Sequence, residues 1–572
     1  MRTLISFAVL VMTTGAVMAQ VTPACPVPIA PAPTGSSFRP ADAFNSEQDY
    51  KWMHSSTNLQ GYAAKEKFAA CLFYNPTDDD ISRQLGRFRS ALVLNNPSPT
   101  ATANVSVELR DRNGALLTTL TVNLAPNATW TSGVPQLQTL GRGIGSARIL
   151  SSQPIVGSTL HYADSVVVGG TTVIDPHPLR PGLNSMQQLQ VSQTVGRNLY
   201  AGPMPLSTTT GFDFLNRNLP FYCALNTTST PTTVTAFKGT SGGIALPTIT
   251  AALPGYGLFV DVSLWQAVEP TYLAGGAFDD NGWAYLSSSA SPLVGDHFMV
   301  DVFGGATLGG KFRMGSAMMA NSPALIVQNA ELTQQIGPST PRVDTYMGAL
   351  NASFVDIGPV TVTYRNRNGG VAGSNTVASL LPGQSLRLTP GTPGFPASPF
   401  FDGTAEIRAC KSGLVGWSMR EVTRIGANHF EKAYGEELTG ANGLEPGKAI
   451  AVVQSGTAVN RKVAPIARVS TSLAWPSYTN FSNNSVGNIG NYWFRFYNLN
   501  GTDTTNYAPQ PFAGLRWGDT SFTYQDGANS LVLAGPDRNV SGRVDVTTGS
   551  VIGITAIGDP MVEWQIPSYP GL

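Results

Sequence analysis

The sequence predicts an all-β protein built of tandem β-sandwiches, and three observations predict it. First, β-formers alternate with polar residues over short runs. Val360, Val362 and Tyr364 alternate with Thr361, Thr363 and Arg365, and Asn368-Gly369 follows, the strongest short-range hairpin signal. Second, turn signals recur roughly every ten residues without any sustained 3.6-residue periodicity; 60 Gly and 41 Pro supply the turns. Third, the pattern repeats.

The repeat has three landmarks in fixed order. The first copy reads VSVELRDRNG (Val105–Gly114), LAPN (Leu124–Asn127) and GSARILSSQPIVG (Gly145–Gly157). The second reads TVTAFKGTSGG (Thr233–Gly243), LPG (Leu253–Gly255) and GWAYLSSSASPLVG (Gly282–Gly295). The third reads VTVTYRNRNGG (Val360–Gly370), LLPGQSLRL (Leu380–Leu388) and GTAEIRACKSGLVG (Gly403–Gly416). The fourth reads WFRFYNLNG (Trp493–Gly501) and GRVDVTTGSVIG (Gly542–Gly553), with no clear LPG landmark between them. Taking Gly114, Gly242, Gly369 and Gly501 as turn glycines, the spacings are 128, 127 and 132 residues. A period of that length matches a whole small domain, not a short solenoid unit. The four hairpin arms are expected to be structurally equivalent.

Taken in order, residues 1–19 read as a signal peptide. Arg2 supplies the positive charge, Leu4 to Met12 the short apolar run, and Val17 and Ala19 the small cleavage-site residues, so the mature chain is expected to start at Gln20. Residues 20–67 form a proline-rich leader and N-terminal extension. Val21 to Thr34 favours extended polyproline II, and its bland role is a spacer. Around Tyr62 to Ala70 the propensities suit a short helix, and equally an edge strand. Sandwiches are expected at 68–195, 196–323, 324–461 and 462–572. The last three open on strands at Leu199, Ala324 and Val463. Long Gly- and Pro-containing connections, such as Ser165 to Gln190, are expected to carry hairpins or function.

Composition narrows the partners. Lys+Arg 35 balances Asp+Glu 35, which argues against nucleic acid and anionic membranes, both of which select a basic excess. After the signal peptide no apolar run reaches membrane-spanning length. A transmembrane barrel would need longer uninterrupted strands than these Pro-broken ones.

Four cysteines in an exported chain suggest disulfides. Cys25 and Cys71 flank the N-terminal extension and are paired first; the bond would fasten the leader to the first sandwich. Cys223 lies on an early strand of the second repeat and Cys410 on a late strand of the third. An intradomain bond between those two is excluded, which leaves a bond between neighbouring domains or buried thiols.

No catalytic constellation emerges. Gly239-Thr240-Ser241-Gly242-Gly243 resembles the GDSGG around the nucleophile of chymotrypsin-like proteases, but Thr240 stands where Asp is needed. The upstream histidines, His54, His161 and His177, have no suitable context. Register with Asn113-Gly114 assigns the segment, Ser241 included, to a hairpin turn. Asp78-Asp79-Asp80 and Asp279-Asp280-Asn281 lack EF-hand spacing and read as solvated turns, or a helix N-cap for the first. Five scattered histidines and no CxxC give no zinc site, and no cofactor is expected.

The closing motif GSARILSSQPIVG, preceded by a strand-NG-strand hairpin and the LAPN turn, resembles immunoglobulin- or fibronectin-like modules of bacterial surface proteins. The resemblance covers most of residues 85–165 and 343–420. It implies an immunoglobulin-like sandwich used as a spacer or binding platform, and it carries no catalytic residues. The expectation is an exported, non-enzymatic structural or adhesive protein of the cell surface or extracellular space, periplasm included. Its partners would be other surface proteins or glycans. One alternative is a carbohydrate-binding surface protein using Trp265, Trp283 or Trp475 as platforms, although each singly suits a sandwich core. Another is a secreted hydrolase with a site formed between domains.

Overall fold

The computed structural model describes residues 64–75, 87–132, 137, 140, 143–168, 171–174, 186–190, 198–207, 217–239, 242–243, 245–261, 279–303, 309–317, 324–333, 342–366, 370–388, 391–396, 400–411, 413–423, 432–438, 452–454, 457–469, 477–483, 492–504, 520–524, 538–546, 551–557, 564–567 and 569–571. The signal peptide, the proline-rich leader, Cys25, His54, Asp78-Asp79-Asp80, His177, Thr240, Ser241, Trp265 and Trp475 lie outside them. The described elements are β-strands, paired antiparallel in small sheets. Among the described residues no helix is long and apolar enough to cross a membrane.

Residues 198–317 show the pairing scheme most simply. One sheet runs Ala245–Leu253, Thr232–Gly239, Asp279–Ser288, Asn198–Ser207. The other runs Leu258–Asp261, Arg217–Asn226, Leu293–Phe303, Gly309–Ala317. The same order recurs in residues 324–438, where Leu332 and Thr333 also pair with Asp344 and Val343 to join the two sheets. It recurs in residues 64–190 with one change. Gly143–Val168 is a single strand that pairs with Ala103–Asp111 in its first half and with Arg87–Asn95 in its second. The strand continues through Ser151 to Pro154, but its register breaks there: Glu66 pairs with Leu150 and Ala64 with Ile155, so the chain passes from one sheet to the other at an irregularity. In residues 457–567 the scheme is present with fewer described strands.

The alternation seen in sequence is the packing. In Ala103–Asp111, Ala103, Val105, Val107 and Leu109 are buried, while Asn104 is exposed and Ser106, Glu108 and Arg110 are half-buried. They meet Leu72, Tyr74, Leu92, Leu94, Ile149 and Ile155 in one core. Each such aliphatic side chain contributes about 1.5–3 kcal/mol by leaving water. In the third stretch Val360, Val362 and Tyr364 enter the core, and Thr361, Thr363 and Arg365 on the other face are buried as well; the Tyr364 ring lies 4.9 Å from Phe395 and 6.1 Å from Phe401. The N-terminal extension resolves in favour of the strand, Ala64–Asn75. Its residues pair with Gly143–Val168, and burial of Phe68, Leu72 and Tyr74 outweighs local helix propensity.

One polar residue recurs at the corner between the second and third strands. Asn96, Asn226 and Asn351 are fully buried. Each accepts at Oδ1 from the N–H two residues on: Ser98 at 3.1 Å, Thr228 at 3.1 Å, Ser353 at 2.8 Å. Each Nδ2 donates to a nearby carbonyl: Ala101 at 2.7 Å, Thr230 at 2.8 Å, Val355 at 2.7 Å. Each also reaches the turn after the hairpin, at Leu124 O (3.1 Å), Pro254 O (3.0 Å) and Leu380 O (2.7 Å). An amide fits because it alone carries two donors and an acceptor in one plane. Asn351→Ala strands one N–H and two carbonyls and is expected to lower stability by about 2–4 kcal/mol. Asn351→Asp should do no better at neutral pH, since a carboxylate faces both carbonyls without a donor. A urea midpoint unchanged in Asn351→Ala would refute this role.

Candidate functional site

Cys71 is bonded to Cys223, not to Cys25 as the sequence suggested, with Cα atoms 5.9 Å apart. The reason lies in the packing. Ala64–Asn75 runs alongside Arg217–Asn226 and presents Cys71, fully buried, to an equally buried Cys223. Cys410 is also disulfide-bonded and no cysteine among the described residues is free, so both readings of Cys223 and Cys410, a bond to each other and buried thiols, are overturned.

The remaining special residues gather where a hairpin tip of one stretch meets the turn of another. The first tip, Asp111 to Ala115, is closed by Asp111 Oδ1, which accepts from the N–H of Asn113 (2.9 Å) and Ala115 (2.8 Å). Gly114, at φ +84°, lies so close to the second stretch's turn that a Cβ would come within 2.1 Å of Gly255 O. Leu258 N donates across the joint to Arg112 O at 2.9 Å. The Arg110 guanidinium sits 4.2 Å from the Tyr256 ring centre and Arg148 sits 5.5 Å away. Glu108 holds Arg110 at 2.7 Å and Glu66 holds Arg148 at 2.8 Å. Two cations against one ring are sustained by this carboxylate pair.

The second tip meets the third stretch's turn in the same way. Gly242 bridges Gln384, and a Cβ on Gly243, at φ +84°, would lie 3.2 Å from Pro382 O. The Trp283 indole fills the joint: Cβ atoms on Gly239 and Gly383 would lie 2.3 and 3.2 Å from its Cζ2. The GTSGG segment thus contributes Gly239, Gly242 and Gly243 to this joint. Left-handed geometry falls on Gly243, one residue after the glycine chosen from sequence. Trp283 is half-buried in the joint, which weighs against its use as an open sugar platform. The fourth tip meets the first turn: Thr129 N donates to Leu499 O at 2.9 Å, and a Cβ on Gly501, at φ +89°, would lie 2.1 Å from Pro126 O.

One buried cluster carries ionisable groups. Tyr222 donates its hydroxyl proton to Asp261 Oδ2, and Lys238 Nζ lies 3.7 Å from the same oxygen. Lys238 comes from one sheet, Tyr222 and Asp261 from the other. Burial, then the Asp261 charge, pushes the Tyr222 hydroxyl well up; burial lowers Lys238 against the pull of Asp261. Lys238 follows inward-facing Ala236 as Leu109 follows Val107 and Tyr364 follows Val362, so it replaces a core apolar side chain. The cluster ties the two sheets through one carboxylate.

The other sequence candidates stay apart. Asp279, Asp280 and Asn281 open a strand, pairing with Ser207, Leu206 and Pro205, where a turn was expected. His161 pairs in register with Ser90 and Gln187. Among the described residues, no three His, Cys, Asp or Glu side chains gather as metal ligands. The asparagine corner and the joints were missed in sequence. Their signal was spacing: Asn96, Asn226 and Asn351 precede Gly114, Gly243 and Gly369 by 18, 17 and 18 residues.

No family model matches the chain, and no curated protein matches it. Among solved structures, it aligns with a serine-rich repeat protein (Srr2) from Streptococcus agalactiae at 10% identity over 49% of this chain and 85% of that one, with a TM-score of 0.11. It aligns with the T13 IBDV viral particle at 9% identity over 84% and 78%, with a TM-score of 0.08. At such scores neither alignment carries an argument.

Proposed function

We propose that this chain is an exported, non-enzymatic structural or adhesive protein of the cell surface or extracellular space, made of four immunoglobulin-like β-sandwich domains. The observation that carries the reading is the recurrent asparagine corner with its tip-on-turn joints. The buried amides tie each corner to its own hairpin turn, and Gly114, Gly243, Gly501 and the paired arginines hold the joints between domains. The pairings of the second strand with the fifth, and the third with the sixth, match the immunoglobulin arrangement. The first and seventh strands exchange sheets relative to it, pairing with the sixth and second. A buried disulfide suits an oxidising compartment.

The test is cell fractionation with N-terminal sequencing of the native protein, followed by binding assays on purified chain. The expected result is envelope or medium localisation, a mature end at Gln20, and adhesion to a protein or cell surface without hydrolysis. Unprocessed protein in the cytosol would overturn the export reading. Specific, saturable binding to one class on a glycan array would replace adhesion by the carbohydrate-binding alternative.

A further inference from the structure

We propose that the four sandwich domains close head to tail into a ring, sealed by the joint between the fourth hairpin tip and the first domain's turn. This rests on the four-domain reading above, but not on export or adhesion. The joint is heterologous: the tip is one surface of a domain and the turn is another. Such contacts propagate as an open array unless the rotation between units brings the last back to the first.

Here it does. The first tip meets the second turn at Gly114 and Gly255, the second tip meets the third turn at Gly243 and Pro382, and the fourth tip meets the first turn at Gly501 and Pro126. The direction is the same each time, and the last contact returns to the start. An independent set of contacts closes in the same sense. Met186–Gln190, Gly309–Ala317, Lys432–Leu438 and Trp564–Pro567 each end the sheet of one domain. Each approaches the next, and Trp564–Pro567 approaches Met186–Gln190. These four equivalent strands thus surround one axis. An open array of repeats needs modified end units to cover its exposed surfaces. A ring needs none, and the first turn and fourth tip use the same glycine-against-carbonyl contact as the first two joints, the third tip lying outside the described residues.

The partner of this closing surface is therefore the same chain. In the full-length protein, Thr129→Cys with Leu499→Cys places two thiols at positions already joined by a backbone hydrogen bond, within disulfide reach. Oxidation is expected to give monomer carrying a peptide that links positions 129 and 499. Thiols that stay reduced, or that bond only between chains, would overturn the ring. A second pair of variants covers a folding failure of the first. Gly501→Val places a side chain against Pro126 O, whereas Gly391→Val, at a similar φ of +93°, meets nothing within 4 Å. Backbone strain is shared, so only the joint differs. Gly501→Val is expected to raise the radius of gyration by up to about one half, the ratio of four bodies in line to four in a square, or to join chains into oligomers. Gly391→Val should keep the size of the unmodified protein. Equal size and mass in both variants would overturn the proposal. A chain that cross-links within itself but is retained unprocessed in the cytosol would overturn export and support the ring.

Discussion

Cys71→Ala with Cys223→Ala lowers the unfolding free energy of the full chain by about 3–5 kcal/mol. The bond spans 152 residues of sequence. By the chain-entropy argument, a cross-link over that length removes about 5 kcal/mol of freedom from the unfolded ensemble, and residual unfolded structure reduces the figure. Alanine is the right replacement because both sites are fully buried and a serine hydroxyl would need a partner. The paired substitution isolates this bond, since a reductant would also open the one at Cys410. Urea denaturation under non-reducing conditions measures it. A double variant as stable as the parent would show that the two strands are held by packing alone.

Asp296→Asn is expected to stabilise the protein near pH 8 by up to about 5 kcal/mol, and to have little effect near pH 4. Burial pushes the Asp296 carboxyl up to about 8. Between roughly pH 4 and 8 the folded state holds a proton that the unfolded state has released. Its contribution is complete below that window and is lost as pH rises through it. Lys67 has the opposite sense. Burial lowers its ammonium to about 7, so the unfolded state binds the extra proton between there and 10.5, and stability recovers as pH rises across that range. The two groups together place a minimum of stability at pH 7–8, and Lys67→Met should remove the alkaline limb as Asp296→Asn removes the acid one. Lys67 sits on Ala64–Asn75, the strand that carries Cys71, and Asp296 is the register partner of Cys223. The check is a series of urea midpoints from pH 4 to 10. A difference between Asp296→Asn and parent that stays constant from pH 4 to 8 would refute the buried, proton-holding carboxyl.

Much of the fold was legible because its signals are local. Val105, Val107 and Leu109 alternate with polar neighbours, and burial follows that alternation residue by residue. Entry strands expected at Leu199, Ala324 and Val463 are present as Asn198–Ser207, Ala324–Thr333 and Thr457–Val469, the last opening six residues earlier than expected. What stayed hidden depends on contacts between distant segments. Nothing near Cys71 names Cys223, because their meeting requires two separate sheet pairs to lie side by side. Lys238 occupied an inward position that alternation assigns to an apolar residue, and Asp261, its ion-pair partner there, lies on a strand of the facing sheet that sequence does not place beside it. The asparagine corner was obscured by composition: in a chain rich in Asn, Ser and Thr, one asparagine carries no signal until its spacing to the turn glycine is compared across copies. The candidate site was legible only in its glycines, which mark hairpin turns in sequence but show their second partner, a neighbouring carbonyl, only in three dimensions.

The Cys71–Cys223 bond also determines what a protease can do to the chain. Any single cut between residues 72 and 222 leaves both products covalently attached through the two sulfurs. The long connections in this interval, where cleavage concentrates in most proteins, can therefore be nicked without releasing a fragment. On a denaturing gel such damage is invisible until a reductant is added, and the nicked and intact forms then separate for the first time.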